Sequence, residues 1–318
     1  MPNQSVRILE PNTPHRDEVP CPVCDSKKRT IIFKPWFNVD DPAKLYGAAS
    51  GIPGTQTLVT CIDCRMIYES PRYDEETIIE GYKSSNDSGH DSQHPMRVRS
   101  FFNALKKLGN KIPAKGAKVL DIGTAGGAFL EAAKQYGYNA LGLEPSKYLT
   151  DSGKARGLQI EQGTIDHHAF EPASFDMICL WDVIEHLTKP KKALQEIHRL
   201  LKPEGTLLIN YPDIGTTQAK LAGRKFWWIL SVHLHHFTRK SIADICHRTG
   251  FTTFEMRRYW QILEFGYLER MAVHYKIPLT AFITKMTPTI IQKIPIPYYA
   301  SQTTVLARKS EKIESVNI

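Results

Sequence analysis

KVLDIGTAGG, residues 118–127, is the stretch on which the fold turns. Lys118 to Ile122 is an apolar run of strand length, and Gly123-Thr124-Ala125-Gly126-Gly127 leads straight into a helical pattern from Ala128 to Tyr136. A Gly-rich strand-to-helix turn lets backbone approach a ligand, and the helix start favours a carboxylate or phosphate there. Glycines in such a turn also serve plain packing, so the turn has to be read with its surroundings.

Those surroundings alternate. Tyr138–Leu143 is a second strand, Ser146–Arg156 a helix, Leu158–Gln162 a third strand and Phe175–Trp181 a fourth. Thr188 is placed to cap the next helix, with Pro190 in its first turn and Ala193, Leu194, Ile197, Leu200 and Leu201 on one face. Gly205 stops that helix before a fifth strand, Thr206–Tyr211. Thr238 can cap a helix that buries Ile242, Ile245 and Cys246, and Phe251–Tyr259 and Ser301–Ala307 read as the last two strands. Seven strands alternating mainly with helices predict an α/β, doubly wound, Rossmann-like and mostly parallel sheet. Residues 213–236, with Phe226, Trp227 and Trp228, and residues 262–299 interrupt the rhythm as cap insertions, the first of them helical.

With 318 residues, the chain can bury a full core and still carry a smaller second unit. The opening MPNQSVRILEPNTPHRDEVP has no apolar run of signal-peptide length, and later apolar stretches are broken before they could span a bilayer. The expectation is a cytoplasmic protein. A net charge of +8 suits anionic partners such as nucleic acid, phosphorylated small molecules or acidic lipid, and equally suits mere solubility. Four of the six cysteines form the pairs Cys21-Pro-Val-Cys24 and Cys61-Ile-Asp-Cys64, which in a reducing compartment points to metal. Four thiolates suit structural zinc with no open coordination position. The predicted organisation is a loose arm over 1–20, a zinc-ribbon-like module and linker over 21–95, and the α/β domain over 96–318.

Glu144 ends the second strand about twenty residues beyond the turn, where an acid can accept the ribose hydroxyls of an adenosyl group. From here the text resembles the class I S-adenosylmethionine-dependent methyltransferases, in particular the ubiquinone-pathway and sugar methyltransferase group. The matching stretches are VLDIGTAGGAFL, ALGLEPS, GTIDHHAFEPASFDMICLWDVIEHL and ALQEIHRLLKPEGTLLINYP, together spanning Lys118 to Tyr211. The resemblance implies that Gly123, Thr124 and Ala125 line the aminoacyl part of the cofactor, with Asp121 ordering the turn. It also implies Thr164 and Ile165 near the adenine, with Trp181 and Asp182 closing the site. An NAD-binding domain is the competing reading of the same turn. Ala125 departs from the family's GxGxG pattern; alanine is expected to be tolerated there if its φ stays negative, with a narrower turn.

Methyl transfer to a hydroxyl or carbon acid needs a base, and histidine is the usual choice near neutral pH. His186 follows the fourth strand, where the site should open, and His233 and His236 belong to the cluster HLHHFT, which resembles a stretch near the substrate in related enzymes. Asp182, Glu185 and His186 also resemble a pattern that holds a divalent ion in some ubiquinone-pathway enzymes. Zinc ribbons precede this domain in some sugar C-methyltransferases and some ribosomal RNA methyltransferases, and the acidic helix to Tyr82 suits the former. The expected activity is therefore methyl transfer to a small molecule, such as a sugar or a glycan or lipid-linked precursor. An RNA methyltransferase and a non-catalytic cofactor-binding protein are the alternatives. The stretch 262–299, with Leu263, Phe265, Leu268, Phe282, Ile283, Ile290 and Ile291 among Arg270, Lys276, Lys285 and Lys293, offers a peripheral membrane contact.

Overall fold

The structure, a computed structural model, describes residues 16–35, 41–46, 54, 56–83, 93–274 and 287–310. Its strands are β1 (Arg16–Asp17), β2 (Arg29–Phe33), β3 (Leu58–Cys61), β4 (Ile67–Glu69), β5 (Arg72–Tyr73), β6 (Lys118–Ile122), β7 (Asn139–Glu144) and β8 (Ile160–Gln162). They continue as β9 (Phe175–Trp181), β10 (Leu201–Pro212), β11 (His235–His236), β12 (Phe251–Arg258), β13 (Gln261–Glu264), β14 (Pro295–Tyr298) and β15 (Gln302–Lys309).

The main sheet has seven strands in the order β12-β15-β10-β9-β6-β7-β8, and β15 runs antiparallel to both its neighbours. β6 lies between β9 and β7, with Val119 opposite Met177 and Ile122 opposite Leu143. The chain leaves β6 in one direction to β7 and later returns to the other side at β9. Such a switch point opens a crevice at the carboxyl ends of the strands. Helix Ala128–Tyr136 covers one face with buried Phe129, Leu130, Ala132 and Ala133, and ends where Gly137 adopts a φ of 103°. Helix Pro190–Leu200 covers the other with Ala193, Leu194, Ile197 and Leu200. Each large apolar side chain buried in this way contributes about 1.5–3 kcal/mol, and the sheet is apolar on both faces as this layering requires.

Several local expectations change. Thr188 does not cap the helix at Pro190: Lys189 holds that position, and the Thr188 hydroxyl donates to the Glu75 carboxylate. The 213–236 insertion is helical only over Thr217–Ala222 and a 3₁₀ turn at Gly223–Lys225. The arm is ordered at its end, because Arg16 pairs with Tyr73 in β1 and β5 and lies 4.4 Å over the Tyr73 ring. Residues 1–15 and 84–92, the rest of the arm and most of the linker, lie outside the described residues, as do Phe282, Ile283, Lys276 and Lys285 of the second insertion. Within that insertion Leu263 and Leu268 line an internal cavity, whereas Ile290 and Ile291 are exposed. Among the described residues no helix is long and apolar enough to cross a membrane.

The boundary expected near residue 95 is crossed by a sheet. β2, β3 and β4 form the antiparallel core of the N-terminal module, and β11 from the far side of the chain adds a fourth strand beside β4. Both units thus share hydrogen-bonded structure.

Candidate active site

The turn after β6 is held by backbone bonds. Gly123 N–H donates to Leu143 O at 2.8 Å, and Gly127 N–H to Thr124 O at 3.0 Å. Gly123 has a φ of 67°, and a Cβ there would stand 2.7 Å from the Val183 side chain, so a larger residue would collide. Ala125 corrects the sequence reading: its φ is 50°, in the left-handed region, which costs an L-residue roughly 1–2 kcal/mol. What holds it there is Glu144, whose Oε2 accepts the Ala125 N–H at 2.9 Å. The other oxygen of Glu144 accepts from Ser146 N–H at 2.9 Å, at the start of helix Lys147–Ala155. Glu144 is fully buried, and it is Leu143 and Pro145 that line the cavity beside it. The carboxylate, expected to meet a ribose, instead braces the turn from behind the cavity wall.

The cavity measures about 2050 Å³, against roughly 300–1,000 Å³ for ordinary small-molecule sites. It is lined by Asp121, Gly123, Thr124, Ala125, Thr164, Ile165, Trp181 and Asp182, which the sequence reading grouped together, and it extends to His186 and His233. Oδ1 of Asp121 and Nε1 of Trp181 are buried without a hydrogen-bond partner among the described residues. Burial pushes the Asp121 carboxyl up to about 8. A site with orphaned donors and acceptors around a Gly-rich turn fits a polar ligand such as the aminoacyl part of S-adenosylmethionine. Arg97 was not read from the sequence, since an isolated cation on an amphipathic helix carries no motif. It lines the same cavity with its Nε buried and without a partner among the described residues; burial raises the Asp182 carboxyl to about 6, and the Asn210 hydrogen bond and then the Arg97 charge hold that rise back.

At the other end stand two histidines and a carboxylate. His186 Nδ1 donates to Val232 O at 2.9 Å, and His233 Nδ1 to Trp228 O at 2.8 Å. With Nδ1 donating, each neutral ring carries its acceptor lone pair on Nε2. The rings lie 4.8 Å apart, and His233 stacks on Trp228. Burial lowers His186 to about 4 and holds His233 well below the usual histidine range, so both rings are neutral at pH 7. Glu185 is buried with neither oxygen hydrogen-bonded, and burial first, then Asp182, pushes it far above the usual carboxylate range.

His236 is not among the cavity-lining residues: it is committed to β11 opposite Ile67. The ladder takes His235 and His236, and His233, just before it, turns inward. Atoms of Glu185, His186 and His233 lie within 4.8 Å of one another, a carboxylate and two imidazoles that could hold a divalent ion. Asp182, expected in that role, is tied elsewhere, its Oδ1 accepting from Asn210 at 2.7 Å and Gln302 at 2.6 Å.

The four paired cysteines do converge. Sγ of Cys21 is 3.4 Å from Cys64, Cys24 is 3.5 Å from Cys61, and all four lie within 4.8 Å. The two turns match: Asp25 N–H returns to Cys21 O at 2.9 Å and Arg65 N–H to Cys61 O at 3.0 Å, each with positive φ. Four thiols on equivalent turns fit a tetrahedral zinc ion. From this module the helix Glu75–Lys83 places Glu75, Glu76, Ile79 and Glu80 on the cavity wall.

Sheet order, turn and cavity define a Rossmann-like protein with its ligand crevice at the β6 switch point. A family profile described as a methyltransferase domain matches residues 92–255, just over half of the chain, and the chain belongs to that family. The ubiquinone biosynthesis O-methyltransferase of Xylella fastidiosa is 31% identical over 128 residues, which is 38% of this chain and 52% of that protein. The protein of the same name from Pseudomonas aeruginosa is 34% identical over 104 residues, covering 30% and 44%. The chain thus spans about half the length of the curated relatives it matches. A SAM-dependent methyltransferase of Thermotoga maritima superposes with a TM-score of 0.45 at 18% identity, over 68% of this chain and 91% of that one.

Proposed function

We propose that this chain binds S-adenosylmethionine at the turn after β6 and transfers its methyl group to a small-molecule acceptor. The observation that carries this is one continuous cavity with the family's turn at one end and two neutral, lone-pair-bearing histidines at the other. The bound cofactor supplies a methyl group on a sulfonium, already activated towards a nucleophile. The protein's part is to orient, to exclude water and to accept a proton. The Gly123–Ala125 backbone and Asp121 hold the aminoacyl group, and Arg97 pairs with its carboxylate. Thr164 and Ile165 flank the adenine, and Glu144 acts on the ligand through the turn it braces. Nε2 of His233 or of His186 takes the acceptor's proton. The name of the matched relatives favours a hydroxyl acceptor, and resemblance of the zinc module favours a sugar or a glycan or lipid-linked precursor.

Zinc at Cys21, Cys24, Cys61 and Cys64 holds the N-terminal module, and four free thiols suit a reducing cytoplasm. Exposed Ile290 and Ile291 beside Lys293 support contact with anionic lipid, and flotation with anionic liposomes at low salt tests it: wild type should float, and Lys293→Glu should not. The methyltransferase reading itself is tested with methyl-labelled cofactor against phenols, nucleotide sugars and RNA. Label should pass to a small-molecule class; transfer to RNA alone would overturn the acceptor assignment.

A further inference from the structure

The metal knuckle and the cavity histidines share one sheet. β4 begins three residues after Cys64 and pairs along β11, with Ile67 opposite His236 and Tyr68 opposite His235. Glu69 N–H then donates to Leu234 O at 2.9 Å, one residue from His233. His235 grips the opposite side of the site: its N–H donates to Glu185 O at 3.1 Å, and its Nε2 to Leu187 O at 2.9 Å. It is buried and does not line the cavity, so its two bonds serve the Glu185–Leu187 turn. The other knuckle reaches the same region, where Asp25 pairs with Lys191.

We propose that the β4–β11 ladder is a positioning device through which metal in the four-cysteine site sets where His233 and the Glu185–His186 turn stand, with His235 as the positioning residue. This rests on the readings of the cysteines as a metal site and of the histidines as the acceptor side. Strands of two and three residues hold poorly alone, and in small zinc modules the metal supplies much of the folding energy. The cofactor turn is anchored separately, by Leu143 and Glu144. Loss of metal should therefore loosen one end of the cavity and spare the other.

The experiment uses the full chain, stripped with a chelator and titrated with cobalt(II), which reports thiolate ligation by its absorption. Amide hydrogen exchange is followed at 185–188, 233–237 and 118–144. Stripping should speed exchange in the first two segments at least tenfold and leave 118–144 unchanged, and one equivalent of cobalt should restore protection as the thiolate band grows. The proposal is overturned if the band forms while exchange at 233–237 stays put, or if stripping deprotects 118–144 equally. Absence of any band would instead defeat the metal reading beneath it, and the proposal with it. His235→Phe should keep the band and speed exchange at 185–188, with His235→Gln, which can still donate to Leu187 O, closer to wild type. Unchanged exchange in His235→Phe would remove His235 from the role.

Discussion

Arg97 and Asp121 face the same cavity with unmatched polar atoms, one a cation and the other an acid that burial holds protonated. With its carboxyl raised to about 8, Asp121 carries a proton at pH 7 in the free protein. A cofactor ammonium beside it would favour the carboxylate, so binding at pH 7 should release a proton. Calorimetry in buffers of different ionisation enthalpy measures this, and a buffer-independent enthalpy would separate Asp121 from the ammonium. Arg97→Met and Glu144→Ala should each weaken cofactor binding by on the order of 1–3 kcal/mol, the worth of hydrogen bonds to charged groups. Ala125→Gly should relieve the left-handed alanine and raise stability by roughly 1 kcal/mol, read as an upward shift of the melting temperature. For the bases the sign is set by burial. His186, lowered to about 4, is already in its base form at neutral pH, so turnover should be level from about pH 6 to 8 and fall only as pH approaches 4. His233→Ala or His186→Ala should cut turnover about 10²–10⁴-fold with cofactor affinity kept, and full turnover in both would place the base elsewhere.

At the scale of elements, what was legible in the sequence was whatever repeats with a period. The strands of the main sheet are apolar runs set between helices of 3.6-residue pattern, and β6, β7 and β9 lie where that pattern puts them, whereas the helix before β10 ends at Leu200, not at Gly205, and β10 already begins at Leu201. The Cys-x-x-Cys pairs were legible for a similar reason, since the spacing is the ligand geometry. Pairing across long sequence separations was not. Nothing in His235-His236 announces that it completes a sheet begun at Arg29, because two residues carry no alternation to read. Ala125 at positive φ was hidden too, because what holds it is a hydrogen bond donated to a carboxylate nineteen positions later. One zinc per chain is expected at the four cysteines, and elemental analysis of reduced protein measures it. Cys21→Ser should lose the metal and destabilise the module while the Lys118–Tyr211 core stays folded.

Both units line one cavity. The α/β domain brings the Gly123–Ala125 turn and Arg97, and the N-terminal module walls the acceptor side with its acidic helix. The resemblance in sequence was close only over Lys118–Tyr211, because acceptor-binding walls follow the substrate rather than the fold. Every role proposed for this cavity requires S-adenosylmethionine at the turn after β6. Titration calorimetry of the full chain with that cofactor, and separately with NAD, tests it most directly. One S-adenosylmethionine should bind per chain, more weakly in both Glu144→Ala and Arg97→Met, with no heat from NAD. Saturable binding of NAD with none of S-adenosylmethionine would contradict it.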